Sequence, residues 1–177
     1  MTLILEKLYK LVYNGLNYAE KLMMKFQETE TVELKRILNE NFEKALTYLE
    51  KVPDNDAEIA TNRANLAVTY YNSGNRERAI EYLNAAISMF ENMDGGLNPH
   101  YAGALNTKAV MLFNAGDVAG AAETFEKAIE KTKLIFGENK EYAVGCRNAS
   151  MAFETLGNKE KAELYKNTAA AILSKLG

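Results

Sequence analysis

Three stretches of this chain repeat one another at a nearly constant interval, and that interval constrains the fold more than any other feature. They are ANLAVTYYNSGNRERAIEYLNAAI (64–87), NTKAVMLFNAGDVAGAAETFEKAI (106–129) and NASMAFETLGNKEKAELYKNTAAAI (148–172). Gly74, Gly116 and Gly157 lie 42 and 41 residues apart. Ala79, Ala121 and Ala162 keep the same spacing, as do Ala86, Ala128 and Ala169, while Ala67 and Ala109 continue to Ser150. A period of this length holds one supersecondary unit, which cannot bury its apolar face alone and must stack on its neighbours.

Each unit reads as two antiparallel helices. An apolar-periodic segment runs into Gly and then a polar residue, as in SGNRERA, AGDVAGA and LGNKEKA. The Gly suits a left-handed C′ position, where a Cβ is costly. Asn75, Asp117 or Asn158 can then cap the next helix through its side-chain oxygen. So short a connection makes the two helices antiparallel neighbours. The alanines belong at the crossing, with Leu66, Tyr70, Leu83, Leu112, Phe125 and Phe153 filling its flanks. Gly95, Gly96, Pro99 and Gly137 break the chain between units. The expected helices are 3–27, 30–51, 56–73, 76–93, 98–115, 118–136, 139–156 and 159–176. No stretch sustains a period of two, so no sheet is expected. Residues 31–39 with 42–56 could form a further unit, since Ala45 precedes Ala79 by 34 residues. Two long helices give better hydrophobic continuity and are preferred. The division is thus an N-terminal helical hairpin, 1–55, and three helix pairs, 56–177.

Composition removes several functions. One Cys and one His leave no internal disulfide and no Cys-rich or multi-His metal site. A net charge of −3 gives no electrostatic footprint for nucleic acid. No run approaches a membrane span. The apolar start, MTLILEKLYKLVYNGL, is interrupted by Glu6, Lys7 and Lys10 and lacks a basic lead and a cleavage site. It reads as a structural helix, with the cytoplasm as default address. No P-loop, dinucleotide fingerprint or nucleophile elbow occurs, so no enzyme and no cofactor are expected.

The anchors resemble the tetratricopeptide repeat. Leu66, Ala67, Tyr70, Gly74, Ala79, Leu83 and Ala86 match its pattern. So do Ala109, Leu112, Gly116, Ala121, Phe125 and Ala128, and more weakly Ala149, Ser150, Phe153, Gly157, Ala162 and Ala169. The long period is similar to that of kinesin light chains and bacterial peptide-sensing regulators. The resemblance implies an all-α, right-handed α-solenoid of about eight helices that binds a protein or peptide partner. Arg63 and Lys108 stand where the family has large apolar residues, and there is no Trp.

Stacked pairs curve, and the first helix of each would line the concave wall. Its stripes read Asn65–Val68–Asn72, Asn106–Val110–Phe113–Asn114 and Arg147–Asn148–Met151–Glu154. An Asn amide both donates to and accepts from a peptide backbone. The resemblance implies that such asparagines hold a bound peptide, and solvated amides on an open wall are the other reading. The candidate binding residues are Asn65, Val68, Asn72, Asn106, Val110, Asn114, Arg147, Asn148 and Met151. Arg147 either meets a ligand carboxylate or pairs with a neighbouring Glu. The lysines that chaperone-adaptor members use for acidic tails are replaced here by Ala64, Val68, Val110 and Met151. Cys146 reads as a buried inert thiol and His100 as a helix-start residue. Glu40, Glu43, Lys44, Glu126, Lys127 and Glu130 read as solvated surface. The N-terminal helix is apolar on more than one face, through Leu8, Val12, Leu16 and others. It is either wrapped by residues 28–51 or forms a partner surface, including a homodimer through residues 3–26.

These segments predict a far-ultraviolet circular dichroism spectrum with at least about three quarters of residues helical, against roughly a third in an average protein. A sheet signal would overturn the repeat reading.

Overall fold

The structure, a computed structural model, describes residues 36–37, 40–41, 43–44, 46–47, 51 and 56–176. Six helices run in order: α1 (Asp56–Asn72), α2 (Arg76–Asn92), α3 (Pro99–Asn114), α4 (Val118–Phe136), α5 (Lys140–Thr155) and α6 (Lys159–Leu176). They match the six expected from residue 56 onward. Of the eight expected, six are continuous helices among the described residues. The expected helix 3–27, with its apolar stripe, lies outside the described residues. The expected helix 30–51 is described only in part, and its described positions from 36 to 47 are helical. No strand occurs among the described residues.

Three turns of one design join the helices of each pair. Gly74, Gly116 and Gly157 take φ of +87°, +89° and +75°. In each, two reversed backbone bonds close the helix: Asn75 N–H donates to Tyr70 O at 2.9 Å and Gly74 N–H to Tyr71 O at 3.0 Å. Asp117 to Leu112 and Asn158 to Phe153 repeat the longer bond. These satisfy carbonyls that the helix end leaves unpaired. The residue after Gly then caps the next helix. Asn75 Oδ1 accepts from Arg78 N, Asp117 Oδ1 from Gly120 N and Asn158 Oδ1 from Lys161 N, at 3.2, 3.0 and 3.1 Å.

The connection before α3 departs from this design. Asp94, Gly95 and Gly96 form a single 3-10 turn with φ of 52°, 65° and 78°. Asp94 alone of these carries a side chain into the left-handed region, at a cost glycine avoids. Asn98 is buried and caps α3, accepting from His100 N at 2.9 Å, with Pro99 in the first turn.

The chain forms two compact units, Met1–Tyr82 and Leu83–Gly177, with the boundary inside α2. In the first, Ile59, Ala60, Leu66, Ala67 and Tyr70 of α1 are buried, with Ala79 of α2 fully so. In the second, α3 packs on α4, α4 on α5 and α5 on α6. Its core joins Ala109, Ala121, Ala122, Phe125, Ile129, Ala143, Cys146, Ala149, Phe153, Ala169 and Ile172. Of the recurring alanines, Ala79, Ala86, Ala121, Ala128 and Ala169 are buried and Ala162 is partly so. Where the column changes to Ser150, the buried hydroxyl donates to Ala162 O at 2.8 Å and so is not left unsatisfied. Gly145 marks a close approach between α5 and α4. A Cβ built on it would stand 3.1 Å from Ile129 Cγ1.

Ala121 has no exposed surface. Ala121→Leu should therefore overpack the α3–α4 crossing and cost roughly 1–3 kcal/mol. Denaturant unfolding measures this, and an unchanged midpoint would remove the alanine from the crossing.

Candidate functional site

The solvent-facing residues of α3 and α5 form one candidate face. Asn106 and Asn148 are half-buried, whereas Val110, Asn114, Arg147 and Met151 are exposed. Asn148 Nδ2 donates to Asn106 Oδ1 across the two helices at 3.5 Å, a long bond that leaves capacity on both amides. One turn further along lie Val110 and Met151, 37% and 52% exposed. Apolar side chains so open to water sit beside polar groups that can pair with a backbone. Arg147 was expected to pair with a neighbouring Glu if it met no ligand. Among the described residues no ion pair engages it. The remaining candidates lie on α1 in the other unit. Asn65 is half-buried, and Val68 and Asn72 are exposed.

Cys146 is fully buried, and burial pushes its thiol further up from its ordinary range. His100 is the second residue of α3, its ring 5.8 Å from that of Phe90. Among the described residues no group of His, Cys, Asp or Glu could hold a metal ion. No helix among them is long and apolar enough to cross a membrane.

Of the acidic residues read from sequence as solvated surface, Glu40 and Glu130 are exposed, while Glu43 and Glu126 are a correction. Glu43 and Glu126 each gather a tyrosine and a cation. Glu43 accepts from the Tyr70 hydroxyl, from Arg78 and from the Tyr82 hydroxyl at 3.3 Å. Arg78 also donates to the Tyr70 hydroxyl at 3.0 Å and lies over the Tyr70 ring. Tyr70 and Tyr82 stack with centroids 5.5 Å apart. Glu126 accepts from Lys161 at 2.8 Å and from the Tyr165 hydroxyl at 2.8 Å. Lys161 stands 4.7 Å over Phe153, which stacks on Tyr165. The two clasps are spaced identically along the chain: Glu43, Tyr70, Arg78 and Tyr82 against Glu126, Phe153, Lys161 and Tyr165. That shared spacing was the signal available in sequence. The two sets are two repeats apart, so no local pattern links them.

In the intervening repeat the corresponding residues are Ala85, Leu112, Gly120 and Thr124. The clasp there moves toward the other end of the helices. Glu91 of α2 accepts from the fully buried Tyr101 of α3 at 2.7 Å and from Lys127 of α4 at 3.0 Å. Tyr101 and Lys127 hold the Glu91 carboxyl below its usual range, and Tyr101 and Glu91 raise Lys127. Lys127 is therefore structural as well. Exposed ion pairs add little by themselves, and the clasps matter because they give each phenol an acceptor while crossing three helices.

The tetratricopeptide repeat family model matches residues 64–133. No curated protein matches the chain in sequence. Among solved structures, the nearly identical TPR-like repeats of a Podosopora anserina protein classed with the kinesin light chains superpose with a TM-score of 0.74. They are 17% identical, over 91% of this chain and 76% of that one. BtubC of P. vanneervenii gives 0.63 at 16% identity, over 97% and 92%. MamA gives 0.55 at 20%, over 93% and 90%. At these identities the likeness is one of fold.

Burial, then the bond to Glu43, push Tyr70 from its ordinary 10.0 up to about 12, with Arg78 opposing. Folding thus favours the neutral phenol. The stability this adds is whole below pH 10 and is lost as pH rises through the folded value near 12. The thermal midpoint should fall across that window. Tyr70→Phe keeps the ring and has no proton to lose, so its midpoint should fall less. Parallel curves would assign the alkaline loss to other groups.

Proposed function

We propose that this chain, whose residues 64–133 match the tetratricopeptide repeat model and whose fold is like that of kinesin-light-chain repeats, is a non-enzymatic cytoplasmic scaffold that holds an extended segment of another protein. The observation that carries this is the cross-helix amide pair, Asn148 to Asn106, flanked by the exposed Val110 and Met151.

An extended peptide leaves one row of N–H and C=O groups without partners. An asparagine carries both complements on one side chain. Two of them on adjacent first helices can therefore hold a backbone without reading its sequence. Val110 and Met151 then select a side chain or two, and the unbranched, polarisable Met adapts to more than one. Asn114 extends the polar row, and Arg147 offers a fork for a carboxylate. Asn65, Val68 and Asn72 repeat the pattern on α1. Each net hydrogen bond contributes about 0.5–1.5 kcal/mol, so affinity is built from several such contacts.

Selection of a displayed peptide library on the protein, followed by titration of an enriched peptide, tests this. Asn106→Ala and Asn148→Ala should each weaken binding several-fold, with helicity unchanged, as expected for loss of a bond worth about 0.5–1.5 kcal/mol. Glu123→Ala with Glu130→Ala, exposed on α4, should leave it unaltered. Glu126 and Lys127 are unsuitable controls because their clasps support the fold. Equal affinities throughout would place the partner on another surface.

A further inference from the structure

The outward stripe of α6 is unlike that of the helix one repeat before it. Glu160, Leu164, Asn167, Thr168, Ala171 and Lys175 follow one another at three- and four-residue steps and share a face. All are exposed except the half-buried Thr168, with Leu164 at 59%. The core-facing side of the same helix is separate, carried by Ala169 and Ile172. On α4 the corresponding residues are Ala119, Glu123, Glu126, Lys127, Glu130 and Leu134. Two exposed carboxylates, Glu123 and Glu130, have thus become Leu164 and Ala171.

We propose that α6 pairs antiparallel with α6 of a second copy of this chain, about a two-fold axis passing between Asn167 and Thr168. The stripe is complementary to its own reversal. Glu160 and Lys175 lie equally far from that axis, and so do Leu164 and Ala171. One register therefore sets Glu160 against Lys175 of the second copy at both ends and Leu164 over Ala171 on both sides. Asn167 meets Thr168 at the centre. A two-fold interface needs this self-matching, and a large residue over a small one lets the helices approach closely. The same register on α4 would oppose Glu123 and Glu130, so charge bars it there. Glu160 and Lys175 are about 22 Å apart along the helix at ~1.5 Å per residue. A seam of that length buries less than the ~1,200 Å² of a standard interface, so the dimer is weak, reversible and favoured at low salt. It is independent of whether α3 and α5 hold a peptide.

Sedimentation equilibrium of the full chain over a concentration series at low salt provides the test. The parent should show a reversible monomer–dimer equilibrium. Lys175→Glu places like charges at both ends and should weaken it on the order of tenfold, since opposed like charges are costly across an interface. Glu160→Lys should do the same, and the double charge swap should restore most of the parent's strength. Leu164→Ser should also weaken it, and circular dichroism should show all variants equally helical. A parent that stays monomeric throughout would overturn the proposal. So would a dimer indifferent to Lys175→Glu and Leu164→Ser, or a double swap no stronger than the single changes.

Discussion

The structure depends on a turn with room for one glycine and one capping side chain. Because Gly74, Gly116 and Gly157 enter the left-handed region, the chain reverses within about three residues and the next helix must lie against the last. Every later feature follows from that proximity. Two helices held so close at one end have to cross, and a crossing tolerates only small side chains. The fully buried Ala79 and Ala121 provide them in two of the turns. Burial at the crossing then sets which face of each helix points inward, and so which residues are left for solvent or a partner.

The carboxylate–tyrosine–cation clasps act one level up. Each joins the helix that carries its carboxylate to the helix pair that follows, which apolar packing does without directional preference. A phenol hydroxyl in that position must find an acceptor or lose its hydrogen bond on burial. Once Glu43, Glu91 or Glu126 supplies one, the half-exposed cation completes it. The rings of Tyr70 and Tyr82, and of Phe153 and Tyr165, bring apolar area and orientation to the same place.

How far the sequence reveals all this depends on how local each cause is. The turns and alanine columns rest on residues a few places apart, and Gly116–Asp117 or Asn158 with Lys161 could be read directly. The 3-10 turn at Asp94 could not, because nothing local requires a non-glycine residue to take a φ of 52°. The clasps are hidden in the sequence for a different reason. Glu126 sits beside Lys127 in a run that resembles any solvated helix face, and its partners Lys161 and Tyr165 lie 35 and 39 residues away. The candidate face was legible as a pattern of Asn106, Val110, Asn148 and Met151. The bond between the two amides required the helices to be placed.

The shift of the middle clasp bears on how such an array can change over time. Copies of one module would be interchangeable if every joint used the same contacts. Here Gly120 and Thr124 stand where the neighbouring repeats carry a cation and a tyrosine, and Glu91 with Tyr101 answers from the opposite end. A duplicated or shuffled module would therefore arrive with its charged and aromatic members facing the wrong level of its new neighbour. Neighbouring repeats are keyed to each other, so a single repeat set beside its own copy would mismatch, whereas a block of two, whose outer joints share one spacing, would meet its copy with the clasp in register.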